Sequence, residues 1–202
     1  MERTIGAAAI VLFCAIAAAA AQPAPTQRIS GTVESAKGNT IVVRPHAGSG
    51  TFEINLTDKA AVIDVSKGTL ADVKPGAFIG VGAMPQADGS QRAIQVTVFA
   101  ESQRGTGEGF RPWDARPNST MTNATVSETV ESVDGQVVMV KYKGGEKKII
   151  VPPDATILAY SVGDKSELKP GVNVAILRAK KTANGALEAD RVNVGRGGVV
   201  PH

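Results

Sequence analysis

The sequence predicts an all-β fold built from two tandem small β-barrels behind an N-terminal signal peptide, and three observations carry the prediction. Apolar and polar residues alternate in short runs between turn dipeptides, no stretch holds helical periodicity for three turns, and one series of segments occurs twice in the same order.

The first series occupies residues 28–101, with strands expected at 28–35, 39–45, 51–56, 77–84 and 92–100. Turn signals at Lys37-Gly38, Ala47 to Gly50, Lys74-Pro75-Gly76 and Asp88-Gly89 separate them. The second series occupies residues 125–194, with strand runs at 124–132, 136–143, 146–152, 173–180 and 187–194. The echoes run in order: Thr32-Val33-Glu34-Ser35 with Thr129-Val130-Glu131-Ser132, and Gly38 with Gly135. Gly68 and Asp72-Val73-Lys74-Pro75-Gly76 follow, matched by Gly163 and Glu167-Leu168-Lys169-Pro170-Gly171. Last, Asp88-Gly89, Ala93, Val96 and Val98 are matched by Asn184-Gly185, Ala189, Val192 and Val194. Asp-Gly and Asn-Gly favour tight hairpins. Between the third and fourth strands, residues 64–73 and 159–168 are short and contain Gly, so a turn or a single helical turn is expected there. Five strands with that longer link match the order of the OB-fold, usually a five-stranded barrel with a helix at the link. With aromatic residues at 4% of the chain, the core must rest on Val, Ile, Leu and Ala.

The run Gly31-Thr32-Val33, Gly38, Leu168-Lys169-Pro170-Gly171 with its Val73 version, and Gly185 with Ala189 and Val192 resembles a family of exported bacterial OB-like domains of uncharacterised function. The resemblance covers both series and not the segment between them. It implies a fold and an extracytoplasmic life in bacteria; its motifs are turn and core positions and carry over no catalytic residue.

Arg3, the uncharged run from Ile5 to Ala21 and the polar break at Gln22 read as a signal peptide, residues 1–21, with cleavage after Ala21. Periplasmic or secreted localisation is the expectation. Its removal takes away the one Cys, so thiolate chemistry is excluded from the mature chain. After cleavage no integral membrane helix is expected, since the only long uncharged run leaves with the signal.

Charge is balanced: seven basic and seven acidic residues in 28–101, three and two in 102–124, ten and nine in 125–194. The densest positive surface is Lys141, Lys143, Lys147 and Lys148, with Arg178, Lys180 and Lys181 beyond it. With Tyr142 the only stacking platform among them, nucleic acid is disfavoured as partner, and an anionic small molecule, a glycan or an envelope protein is preferred. His46 and His202 have no nucleophile motif beside them and no metal-ligand spacing. The expectation is therefore no enzyme, no cofactor and no metal site. The alternative is a periplasmic copper- or zinc-handling accessory protein using methionine (Met84, Met121 and Met139) and histidine.

Gly105-Thr106-Gly107-Glu108-Gly109 lacks the Lys-Ser/Thr of a phosphate loop and reads as part of a linker, residues 102–124. Within that linker, 110–117 (FRPWDARP) holds the only Trp and belongs to neither series. Phe110, Arg111, Trp113 and Arg116 are the candidate ligand-binding residues, with Trp113 stacking and the arginines pairing an anion. The competing expectation for Phe110 and Trp113 is a hydrophobic plug between the barrels. Residues 195–202 are expected as a flexible tail.

Overall fold

The computed structural model describes residues 25–113, 116–133 and 135–201; the predicted signal peptide lies outside them. The described chain is all-β. Twelve strands follow one another: β1 Thr26–Lys37, β2 Thr40–Pro45, β3 Phe52–Lys67, β4 Phe78–Pro85, β5 Gln91–Val98, β6 Gly109–Pro112, β7 Thr120–Ser132, β8 Gly135–Tyr142, β9 Gly145–Val151, β10 Thr156–Val162, β11 Asn173–Lys181 and β12 Leu187–Gly195. Single 3-10 turns stand at Leu70–Asp72 and Lys165–Glu167, inside the two links where the sequence predicts one.

The strands close into two five-membered rings. In the first, β1 pairs with β2 and β11, β2 with β3, β11 with β12, and β12 closes in parallel on β3. In the second, β7 pairs with β4 and β8, β8 with β9, β4 with β5, and a short parallel pairing of β5 with β9 closes it. Each ring thus takes three strands from one series and two from the other. The spans 28–101 and 125–194 therefore do not coincide with the barrels, because the links after Lys67 and Val162 each carry the chain across to the opposite ring.

Aliphatic side chains fill each barrel. Ile41, Ile54, Val174, Ile176 and Val192 are sealed in the first, and Ile79, Val81, Val96, Val138 and Ile149 in the second. At about 1.5–3 kcal/mol for each fully buried aliphatic side chain, these two clusters supply most of the drive to fold. The crossing links plug the barrel ends they reach, with Val73 in the second cluster and Leu168 in the first.

Between the rings, the second half of β3 runs antiparallel to β10, with Tyr160 opposite Val65. β10 in turn lies parallel to β5, with Ile157 opposite Val96, as β12 lies parallel to β3, with Val192 opposite Val62. The Gly68 amide donates to the Ile157 carbonyl, and the Gly163 amide donates to that of Val62, both at 2.9 Å. The pairing pattern therefore maps onto itself about the Val65–Tyr160 pair. It sets Val33, which exchanges bonds with Gly171 and Val172, against Val126, which does the same with Gly76 and Ala77. Thr125-Val126 is thus the counterpart of Thr32-Val33. The echo at Thr129-Val130 lies four residues further on, toward the tip of the longer β7–β8 hairpin.

Two expectations about chain order are corrected. Residues 195–201 are docked rather than flexible: the Arg196 amide donates to the Val65 carbonyl at 2.8 Å, and its guanidinium pairs with Asp64 and Glu167. Val199 packs on Val65 and Leu158, and the Pro201 carbonyl accepts from the Ser30 hydroxyl at 3.0 Å. The segment 102–124 is likewise built onto the second barrel. Arg104 joins Glu101, the Gly76 carbonyl and the Thr125 hydroxyl, and β6 pairs with β7.

Candidate functional site

A cavity of about 670 Å³ opens between the barrels. Its first-barrel wall carries Arg28, Ala175, Leu177, Arg178, Asp190, Arg191 and Asn193. Its second-barrel wall carries Gly80, Gln95, Thr97, Phe99, Met121 and Asn123, with Tyr160 of β10 at the join and residues 106–108, Arg111 and Trp113 along the rim.

Strand alternation decides which linker residues reach it. Arg111 and Trp113, two apart, line the cavity, while Phe110 is exposed and carries Lys147 Nζ 4.7 Å from its ring centroid. Arg116 is exposed outside the lining, its carbonyl accepting from the Ser119 hydroxyl at 2.6 Å. Asp114, Ala115 and His202 lie outside the described residues. Of the four candidates, then, the structure brings two together and leaves two apart. Neither Phe110 nor Trp113 is the plug between barrels. That role falls to Phe78, Phe99 and Tyr160, in tilted and edge-on contact at 5.4 Å and 5.5 Å between centroids.

The indole rests against Gly82 so closely that any side chain there would collide with its six-membered ring. The Trp113 amide is fixed to the Ser119 carbonyl at 2.9 Å. The glycine loop, expected to be part of a linker, is tied down: the Thr106 carbonyl accepts from Asn123 Nδ2, the Gly107 carbonyl from Arg111 Nη1, and Glu108 Oε1 from the Lys143 amide. Positive φ at Gly105, Gly107 and Gly109 is what lets the backbone fold this tightly.

Arg191 lies over the Tyr160 ring at 5.9 Å and donates from Nε to Asn193 Oδ1 at 3.2 Å. Partial burial pulls its pKa down and neighbouring Arg178 adds to that, while Tyr160 and Asp190 act the other way. The guanidinium remains charged at neutral pH. Burial also pushes the Tyr160 phenol up, partly offset by Arg191 and by its bond to Thr97. Two amides complete the walls. Asn193 is fully buried with Nδ2 unpartnered, and Asn123 nearly so with Oδ1 unpartnered. Their orientation is fixed by chemistry, since Arg191 can only donate and the Thr106 carbonyl can only accept.

Lys141, Lys143 and Lys148 are exposed on β8, β9 and their hairpin, and Lys147 is half-buried against Phe110; none lines the cavity. Of the three methionines offered for a soft metal, Met121 alone lines it. Among the described residues no group of three His, Cys, Asp or Glu is placed to hold a metal ion, and no helix is long and apolar enough to cross a membrane. Sequence reasoning misses Arg28, Phe99, Tyr160, Arg191 and Asn193. The signal that could find them is divergence between the series, because Arg191 and Asn193 stand where the other copy has Gln95 and Thr97.

No family model, no curated protein and no solved structure matches the chain.

Proposed function

We propose that this is an exported, non-catalytic binding protein of the bacterial envelope, periplasmic or secreted, whose ligand is a small anion held between the two barrels. The observation that carries the reading is the first-barrel wall, where Arg28, Arg178 and Arg191 face the cavity with Asp190 as their one carboxylate neighbour on that wall. A concave site of this volume with a few convergent polar groups is the usual form of a small-molecule pocket. The sequence features behind the exported address are the charged start, the apolar run and the small residues before Gln22.

Thermal-shift screening of the mature chain against small anions, with Arg191→Gln beside it, tests the site. The expected result is stabilisation of the native chain by at least one anion and its loss in the variant. Equal stabilisation of both would place binding elsewhere. Fractionation of the tagged full-length chain tests the address, with recovery in the cytoplasm as the opposing result.

A further inference from the structure

Resting on the cleft as the binding site, we infer that its ligand is an aromatic acid: a flat apolar ring carrying one carboxylate, with the carboxylate on the first-barrel wall and the ring against Phe99, Trp113 and Met121.

The charged end is made by a break in the strand ladder. Between Gln27, opposite Ala179, and Ile29, opposite Ile176, β1 has one residue where β11 has two, so Arg28 faces Leu177 and Arg178 across a β-bulge. A bulge re-aims the side chains beside it, and these three all line the cleft. The β11–β12 register, which sets Ala175 opposite Asn193 and Lys180 opposite Glu188, brings Arg191 beside Leu177 and Asp190 beside Arg178. In the second barrel the corresponding ladder of β4 on β7 runs unbroken, from Phe78 opposite Thr125 to Ala83 opposite Thr120. The arginine cluster thus comes with an irregularity that the barrel itself does not need.

The guanidiniums gathered there suit a planar anion. Arg191 commits Nε to Asn193 and its face to Tyr160, which leaves its Nη edge without a hydrogen bond to any described residue. Arg178 makes no ion pair or hydrogen bond with a described residue, and the two guanidiniums repel each other. Fork-shaped donors of this kind hold a carboxylate through two parallel bonds.

The opposite wall presents apolar surface. Its polar side chains Thr97 and Asn123 are buried, and apart from Gln95 the side chains left partly open are Phe99, Met121 and, at the rim, Trp113. Both barrel cores are aliphatic, yet of the few aromatic residues in the chain Phe99, Trp113 and Tyr160 all line this one cleft. A bare inorganic anion held by the arginines leaves these groups wet. An aryl ring lies offset or edge-on against Phe99 and Trp113 and meets the Met121 sulfur at its edge, contacts that favour a ring over an alkyl chain of similar area. Leu177, partly exposed beside Arg178, continues the apolar surface to the arginines, so acid and ring belong to one molecule. A cavity of about 670 Å³ has room for such a ligand.

The experiment is calorimetric titration of the intact mature chain with 3-phenylpropionate, hexanoate, acetate, inorganic phosphate and benzyl alcohol, following Trp113 emission in parallel. 3-Phenylpropionate is expected to bind one-to-one and to change the emission, with hexanoate several-fold weaker and acetate, phosphate and benzyl alcohol about tenfold or more weaker. Arg178→Ala is expected to weaken 3-phenylpropionate about tenfold, and because Arg178 is exposed this variant keeps the fold. Leu177→Ala, also at a partly exposed position, is the second variant, expected to weaken 3-phenylpropionate while leaving acetate and phosphate unchanged. Hexanoate, acetate or phosphate binding as tightly as 3-phenylpropionate, with the Arg178 dependence kept, overturns the aromatic assignment and leaves the anion cleft standing. Binding of 3-phenylpropionate that is indifferent to Arg178→Ala and silent in Trp113 emission overturns the cleft itself. No heat with 3-phenylpropionate overturns the inference, whatever phosphate does.

Discussion

The two barrels have the same ring of five strands and nearly interchangeable aliphatic cores, yet their facing walls share little. Positions set against one another by the pairing read Arg191 and Gln95, Asn193 and Thr97, Tyr160 and Val65, Leu177 and Gly82. Inside the barrels the counterparts are conservative, such as Val192 with Val96 and Ile176 with Val81. The lesson is that a closed ring constrains volume and alternation only toward its interior. The outer face next to the other barrel is free to differ, and there the charge, the aromatic spine and the orphaned amides collect.

The comparison can be broken first at the cores. Ile41→Ala in the first barrel and Ile149→Ala in the second are each expected to cost about 2–5 kcal/mol. Because each ring holds strands from both series, the two variants should lower one shared unfolding transition. Denaturant melts read by Trp113 emission and by far-ultraviolet dichroism test this, and two resolved transitions would mean that the barrels are independent.

The central pair sharpens it next. Tyr160→Val makes the join symmetric with Val65 and removes the ring between Phe99 and Arg191, at an expected cost of about 2–4 kcal/mol. The reverse exchange, Val65→Tyr, forces a ring into a sealed site and should cost about 1–3 kcal/mol by overpacking. Thermal melts of both variants rank them.

At the rim, Gly82→Ala drives a methyl into the Trp113 indole, with an expected cost of about 1–3 kcal/mol and a shift in tryptophan emission. Leu177→Ala at the matching position, partly exposed to solvent, should stay within about 0.5 kcal/mol.

The smallest effect is one of pH. The Tyr160 phenol titrates above its ordinary value in the folded chain because burial disfavours the phenolate. The unfolded chain therefore loses that proton first, and the stability Tyr160 contributes is complete below about pH 10 and declines as pH rises through the folded value. Alkaline melts should fall less steeply for Tyr160→Phe than for the native chain, and parallel slopes would remove Tyr160 from the account.

Much of the barrel interior is legible in the sequence. The alternation in 39–45 and 136–143 places Ile41, Val43, Val138 and Val140 inward, and all four are buried. The Lys-Pro-Gly turns and the Asp-Gly and Asn-Gly hairpins stand at the expected positions. What alternation does not carry is the partner. A strand states which face is apolar and says nothing about which neighbour it bonds, so the crossing of β4–β5 and β11–β12 leaves no mark on the pattern. The strand content of 57–67 and 156–162 is hidden as well, because Asp58, Lys59 and Asp64 interrupt the apolar pattern of the first and the second runs into the Gly-containing link. At the site, Trp113 and Arg111 announce themselves as an unrepeated pair. Arg191 lies within a run that reads as ordinary barrel strand, and only its place beside Tyr160 gives it meaning.

The crossing of strands also governs the order in which the chain can fold. The first ring joins β3 to β12, so it stays open until the last strands have been made, and its early hairpin must wait with an unpaired edge. The second ring needs nothing beyond β9 and can close sooner. Such long-range closure is slow, and an exposed strand edge in the meantime is prone to aggregate. A stop codon before β11 would therefore remove far more than the C-terminal strands of the molecule, because it would leave the N-terminal ones with no barrel to complete.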